Sequence, residues 1–131
     1  MKVIYVAGPY TAETDWERGL NIKKADGVTS HLWRLGFYAV CPHKITAFYG
    51  GLCDEEIFIE GGLEILRRCD AVVLVDGWEK SGGTLGEIEE AFKLNIPVYE
   101  TVYDLVDGRK INRRKAEYFI DQWKKRNKSR S

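Results

Sequence analysis

Ala71-Val72-Val73-Leu74-Val75 is an unbroken apolar run of strand length, closed by Asp76-Gly77. A strand with one wet face alternates apolar and polar residues. A run with no polar member has both faces covered, as in the middle of a parallel sheet. Val3-Ile4-Tyr5-Val6-Ala7, ending in Gly8-Pro9, has the same character. Phe37-Tyr38-Ala39-Val40-Cys41, closed by Pro42, and Ile96-Pro97-Val98-Tyr99 complete the set of predicted strands.

Helical patterns fill the intervals. Thr14-Asp15-Trp16-Glu17 is a capping box, so a helix is predicted to begin there and stop at Gly36. It should carry Trp16, Leu20, Val28, Leu32 and Leu35 inward. Residues 43–53 read as a loop with a Gly50-Gly51 turn signal, and a second helix fits 54–68 despite Gly61-Gly62. After a loop from Asp76 to Gly83, Thr84-Leu85-Gly86-Glu87 is another capping box, opening a helix to about Leu94. The last helix sets Ala116, Phe119, Ile120 and Trp123 on one face. Strands alternating with helices imply right-handed crossovers. The predicted fold is α/β, a doubly wound parallel sheet of four to five strands with helices on both faces. Ligands bind beyond the carboxyl ends of such strands, here the loops 8–13, 42–53 and 76–83.

A chain of 131 residues and 15.0 kDa argues for a single domain spanning 1–131. Lys+Arg and Asp+Glu number 20 each, so the formal net charge is zero, which argues against a surface built to hold nucleic acid. The charge is segregated. The basic helix and tail 109–131 hold ten Lys or Arg against Glu117 and Asp121, and the rest of the chain is acidic. The tail reads as a solvated helix end, or as a segment docking on the acidic body, on a partner or on phosphate. No apolar run of about 18 residues exists to span a membrane, and the apolar part of the N-terminus is too short for a signal peptide. Cys41, Cys53 and Cys69 fit neither a zinc pattern nor a disulfide framework, so a cytoplasmic location is expected.

Ser81-Gly82-Gly83-Thr84-Leu85-Gly86-Glu87 is the run richest in chemistry. A glycine loop opening into a helix leaves backbone N–H groups bare and suits an anion, most often phosphate. It is neither a Walker A loop nor a dinucleotide fingerprint, and the plainer reading is a flexible turn plus a helix cap. Glu87 is either the N3 partner of a Thr84 cap or a carboxylate at the mouth of a site, able to attack an anomeric carbon. Tyr5 buries a ring whose hydroxyl needs a partner, and Glu87 can be that partner. His43 follows Pro42 at the ligand end of the second strand. Tyr10, Phe48, Tyr49 and Trp78 stand in the three loops, where aromatic rings stack on a base or simply close a small core. Asp70 and Asp76 bracket the third strand, Asp76 at its carboxyl end. Neither a metal nor a cofactor is implied.

Taken in order, Ile4-Tyr5-Val6-Ala7-Gly8-Pro9-Tyr10, Gly36-Phe37 leading to Pro42-His43, Leu63-Glu64-Ile65-Leu66 leading to Cys69-Asp70, and Gly77-Trp78-Glu79-Lys80-Ser81 leading to Glu87 resemble the nucleoside 2-deoxyribosyltransferase family. The match is to its small branch, which includes the deoxynucleoside 5′-monophosphate N-glycosidases, and covers roughly residues 2–100. The resemblance implies a flavodoxin-like fold and cleavage or exchange at an N-glycosidic bond. It puts Glu87 on the nucleophilic glutamate and Tyr5 on the tyrosine that orients it. It puts Ser81 and Gly83 on the loop that holds a 5′-phosphate, and Gly8, Pro9 and Tyr10 on the loop lining sugar and base. Pro42, His43 and Trp78 complete the expected substrate-binding set, and Asp76 the catalytic one. It also implies a homodimer or larger homo-oligomer with a partner chain closing the site. The helix bearing Tyr118, Phe119 and Trp123 either makes that contact or packs on its own sheet.

One departure stands out. The glycosidases carry an aspartate just before the Leu-Glu-x-Leu segment, serving as acid or base toward the nucleobase, and here that position is Gly62. A departing base needs a proton source, and general acid catalysis is typically worth about 10²–10⁴-fold. Asp54, Glu55, Glu56, Glu60 or Asp76 are the substitutes at hand. The expectation is therefore a retaining deoxyribosyl transfer or hydrolysis on a small-molecule nucleotide or nucleoside. The alternative is a non-catalytic nucleotide-binding module, for which Gly62 speaks. A further alternative is a ribohydrolase of the Lonely Guy type, whose Pro-Gly-Gly-x-Gly-Thr-x-x-Glu motif the chain matches only in part.

Overall fold

The computed structural model describes residues 1–128, so the last three residues of the expected basic tail lie outside the described residues. Four strands, β1 (Val3–Ala7), β2 (Tyr38–Val40), β3 (Ala71–Leu74) and β4 (Val98–Tyr99), form one parallel sheet in the order β2-β1-β3-β4. Parallel neighbours need crossover connections. These are supplied by α1 (Asp15–Arg34), α2 (Pro42–Ile45), α3 (Glu55–Leu66) and α4 (Gly82–Lys93), with α5 (Val102–Asp107) and α6 (Arg113–Lys128) following β4. This is the flavodoxin-type order, in which the connections reverse direction between β1 and β3. Among the described residues no helix is long and apolar enough to cross a membrane.

The unbroken apolar runs are explained by two cores, one on each face. Ile4, Val6, Ala71 and Val73 point to the side of α1 and α5, with Ala25, Leu32 and Val102. Tyr5, Ala7, Val72 and Leu74 point to the side of α3, α4 and α6, with Leu66, Leu85, Ile88, Ala116 and Ile120. Asp70, at the amino end of β3, accepts from the Val3 N–H at 2.7 Å and fixes the start of β1, a structural role away from the ligand end.

Several elements differ from the sequence expectation. The Thr14 hydroxyl caps α1 as predicted, accepting from the Glu17 N–H at 3.1 Å. The buried stripe of α1, however, is Ala25, Thr29 and Leu32, with Val28 partly buried, whereas Trp16, Leu20 and Leu35 are exposed. Thr29 passes as an apolar residue because its hydroxyl donates to the Ala25 carbonyl at 2.7 Å. The predicted loop 43–53 opens with the single helical turn α2, started by Pro42, whose missing N–H costs nothing in a first turn. Loop 76–83 contains a 3₁₀ turn at Trp78–Lys80. α5 was not anticipated, although Thr101 caps it through the Asp104 N–H at 3.1 Å and Gly108 ends it with positive φ.

The basic helix α6 is not a solvated end. Ala116 and Ile120 are buried, and Phe119 packs against the core. Arg113 lies over the Phe92 ring at 4.6 Å, Lys115 reaches Glu100 at 3.1 Å, and Lys124 pairs with Glu89. α6 therefore docks on the acidic body, and its apolar stripe is used within the chain. Ile120→Ala is expected to lower the unfolding free energy by about 2–5 kcal/mol, measured by urea denaturation. A change near zero would return α6 to the solvent.

Candidate active site

Tyr5 is the third residue of β1, hydrogen-bonded in register between Val40 of β2 and Val72 of β3. Strand alternation sends its ring into the core beneath α3 and α4, where it is 1% exposed. A buried phenol needs a partner. The Tyr5 hydroxyl donates to Oε2 of Glu87, which reaches down from α4. The capping box predicted at Thr84 does not form. Ser81 is the N-cap, and its Oγ accepts from the Thr84 N–H at 3.3 Å and from the Thr84 hydroxyl at 2.9 Å. The helix thus begins earlier than the sequence pattern suggests, and Glu87 falls in its second turn with no capping duty.

Burial sets the electrostatics of this pair. It pushes the Glu87 carboxyl up from the usual 4.5 to about 7, while the Tyr5 hydrogen bond pulls the other way by favouring the carboxylate. Tyr5 is driven well above the ordinary phenol range, first by burial and then by the negative charge of Glu87. Tyr5 therefore stays a neutral donor at physiological pH, while Glu87 gains or loses its proton close to neutrality.

A cleft of about 1630 Å³ opens above the pair at the carboxyl ends of β1, β2 and β3. It brings Gly8, Pro9, Tyr10, Pro42, His43, Asp76, Ser81 and Gly83 together with Tyr5 and Glu87. A Cβ on Gly8 would stand 2.4 Å from that of Val75, so only glycine lets the chain leave β1 beside the end of β3. His43 is buried against Tyr10, with ring centroids 5.1 Å apart, and its Nδ1 lies 3.7 Å from the Cys41 sulfur. Burial lowers its pKa and the Gly8 backbone partly restores it, so His43 is neutral at neutral pH.

Other residues fall elsewhere. Trp78 does not reach this cleft. It is 3% exposed, packs edge-on against Phe119 with centroids 5.6 Å apart, and borders a separate 460 Å³ cavity beside α1 and α5. The 3₁₀ turn folds its ring beneath α6, which is why a loop aromatic became core. Phe48 and Tyr49 are exposed and off the cleft lining. Of the substitute acids, Glu55 and Asp76 line the cleft, while Asp54, Glu56 and Glu60 do not, and Glu60 faces Arg67 at 3.3 Å. Gly62 sits directly beside the Tyr5–Glu87 pair. A Cβ there would stand 3.2 Å from the Tyr5 hydroxyl, so any side chain at 62 presses on the Tyr5–Glu87 bond. The sequence reading missed Trp123 as a cleft residue. It reaches the cleft from α6, at the far end of the chain, and only the docking of that helix reveals it. Among the described residues no group of His, Cys, Asp and Glu is placed to hold a metal ion.

The raised Glu87 pKa has a consequence for stability. The unfolded chain releases the proton near 4.5 and the folded protein near 7. Between those values the folded state binds more protons, so stability falls as pH rises through the window and levels off above it. Glu87→Gln, which cannot ionise, is expected to be about 1–3 kcal/mol more stable than the parent near pH 8, relative to their difference near pH 4. Urea unfolding at both pH values measures it, and an equal difference at both would contradict the burial of the charge.

The comparisons with known proteins agree with this architecture. The model of a family described as a domain of unknown function (DUF4406) matches residues 2–100. A conserved protein from Enterococcus faecalis V583 superposes with a TM-score of 0.61 at 21% identity, over 75% of this chain and 61% of that one. The chain thus spans less than two thirds of that relative. A 2-deoxyribosyltransferase from the psychrotolerant bacterium Bacillus psychrosaccharolyticus superposes with a TM-score of 0.53 at 23% identity, over 73% of this chain and 69% of that one. No curated protein matches the sequence. The structural likenesses show the fold that the sequence resemblance implied, and the matched 99 residues of the sheet and its cleft show the family: the chain belongs to DUF4406.

Proposed function

We propose that this protein cleaves the N-glycosidic bond of a deoxynucleoside 5′-monophosphate or a deoxynucleoside, by hydrolysis or by exchange onto another base, with Glu87 as nucleophile. The observation that carries this reading is the Tyr5–Glu87 pair at the floor of the cleft. Tyr5 donates to Oε2 alone, and Oε1 has no hydrogen-bond partner among the described residues. One oxygen is oriented and the other faces the reaction.

In the first step Glu87 Oε1 bonds to C1′ as the C1′–N bond breaks, through an oxocarbenium-like transition state. The bonding pair leaves with the base, which takes up a proton. Asp76 and Glu55 are among the cleft carboxyls placed to supply it. In the second step water, or an incoming base, gives a proton to the carboxylate left by the first step as its oxygen or nitrogen bonds to C1′, and the ester bond to Glu87 breaks with the electron pair returning to the Glu87 carboxylate. A sugar without a 2′-hydroxyl forms its cation more easily, so modest acid assistance suffices. The backbone at Gly83, in the first turn of α4, is the place for a 5′-phosphate, because the helix N-terminus offers N–H groups and the positive end of the helix dipole.

Gly62 favours the second reading, a non-catalytic nucleotide-binding module, because no carboxylic acid stands beside the pair at that position. The reading also includes a homo-oligomer working in the cytoplasm. Since α6 packs on its own chain, α3 is the helix offered to a second copy, with Ile57 58% exposed on one side and Ile59, equally exposed, at the cleft.

The test is release of free base from each deoxynucleoside 5′-monophosphate, followed by chromatography. Glu87→Ala is expected to abolish release. Because the carboxylate is the reactive form, kcat/KM should rise with pH through about 7. Tyr5→Phe removes the bond that lowers the Glu87 pKa, so its ascending limb should move to higher pH. Saturable nucleotide binding without base release would establish the binding module instead.

A further inference from the structure

The family match ends at residue 100, and α6 lies beyond it. This helix nevertheless builds part of the cleft. A Cβ placed on Gly82 would meet Nε1, Cε2 and Cζ2 of Trp123 at 2.5 Å each. The edge of the indole that carries the N–H is thus laid against the glycine loop. Gly83, the next residue, has nothing within 4 Å of the same position. The two glycines therefore do different work. Gly82 is small so that Trp123 can approach, and Gly83 is open toward the cleft.

The indole is held where it is. Ile120, one turn earlier, is buried, Lys124, the next residue, pairs with Glu89 of α4, and the Trp123 carbonyl accepts from the Asn127 side chain at 2.8 Å. The ring lines the cleft and is 36% exposed. No hydrogen bond from its Nε1–H is found among the described residues, and an indole can only donate. A fixed donor beside an open backbone turn at the start of a helix is complementary to an acceptor-rich anionic group.

We propose that Trp123 is a specificity-determining residue: its Nε1–H donates to the 5′-phosphoryl group of the substrate and selects phosphorylated over bare deoxynucleosides. The inference rests on the glycosidase or nucleotide-binding reading above and names the residue, supplied by the same chain, that sets its preference. A hydrogen bond to a charged group strengthens binding roughly tenfold or more.

Trp123→Phe keeps an aromatic ring on this face of α6 but removes the indole edge against Gly82 together with its donor, so donation is separated from packing by comparing phosphorylated with bare ligands. Affinities for a deoxynucleoside 5′-monophosphate, the matching deoxynucleoside and inorganic phosphate are measured by calorimetry, with kcat and KM followed beside them where base is released. In Trp123→Phe, binding of the monophosphate and of inorganic phosphate should weaken about tenfold. The deoxynucleoside affinity should stay at the parent value, so the preference for the phosphorylated ligand falls by the same factor. Equal affinities in parent and variant would overturn the proposal, as would equal weakening for monophosphate and deoxynucleoside, which marks a packing role. If the parent binds the monophosphate without releasing base, the catalytic reading fails while the Trp123 comparison still decides this one. If the parent binds none of the three probes, both fail.

Discussion

The hydrogen bond between Tyr5 and Glu87 ties the centre of the sheet to the helix that follows its switch point. It joins a strand residue and a helix residue 82 positions apart in the chain. Burying a carboxylate is unfavourable unless it is partnered, and here the cost is visible as a pKa lifted to about 7. The geometry around the pair follows from keeping it intact. β1 must be central so that Tyr5 is locked between two neighbours. A Cβ at position 62 would stand 3.2 Å from the phenol oxygen, so a side chain there requires Tyr5 to give by a few tenths of an ångström. α4 must start at Ser81 so that Glu87 turns inward rather than serving the cap. Replacing a buried charged pair by apolar residues is often neutral or stabilising, which is in keeping with the role proposed for this carboxyl.

A second constraint runs from α4 to α6. Lys124 with Glu89, Arg113 over Phe92 and the buried Ile120 bring the basic C-terminal helix onto the acidic body. Docking there covers the core beneath Trp78 and delivers Trp123 to the glycine loop. The segregated charge of the sequence is used in part within the chain, where Arg109 faces Asp104, Lys115 faces Glu100 and Lys124 faces Glu89.

Much of this was legible in the residues. The two long apolar runs specified central parallel strands because nothing but two-sided burial accounts for them. Gly8-Pro9, His43, Asp76 and Ser81–Gly83 follow strand ends or open a helix, so a parallel sheet gathers them at one edge. The misreadings have physical causes. Thr84-x-x-Glu87 and Ser81-x-x-Thr84 are rival caps in one stretch, and tertiary burial of Glu87 against Tyr5 decides between them. Trp78 reads as a ligand-facing aromatic because its loop lies at the right end of the sheet, while the docking of α6 over it lies beyond local pattern. Trp123 is the converse, a helix residue that looked like core or contact surface and turns out to border the cleft. Contacts between the two ends of a chain leave no signal in local periodicity.

The central claim is that Glu87 forms a covalent bond to the sugar. The most direct test mixes the protein with a deoxynucleoside 5′-monophosphate, quenches in acid within the turnover time, and maps the digested chain by mass spectrometry. The account predicts a deoxyribosyl 5-phosphate adduct on the peptide containing Glu87, absent from Glu87→Gln. Base release that proceeds with no adduct on that peptide, or that survives in Glu87→Gln, would contradict it.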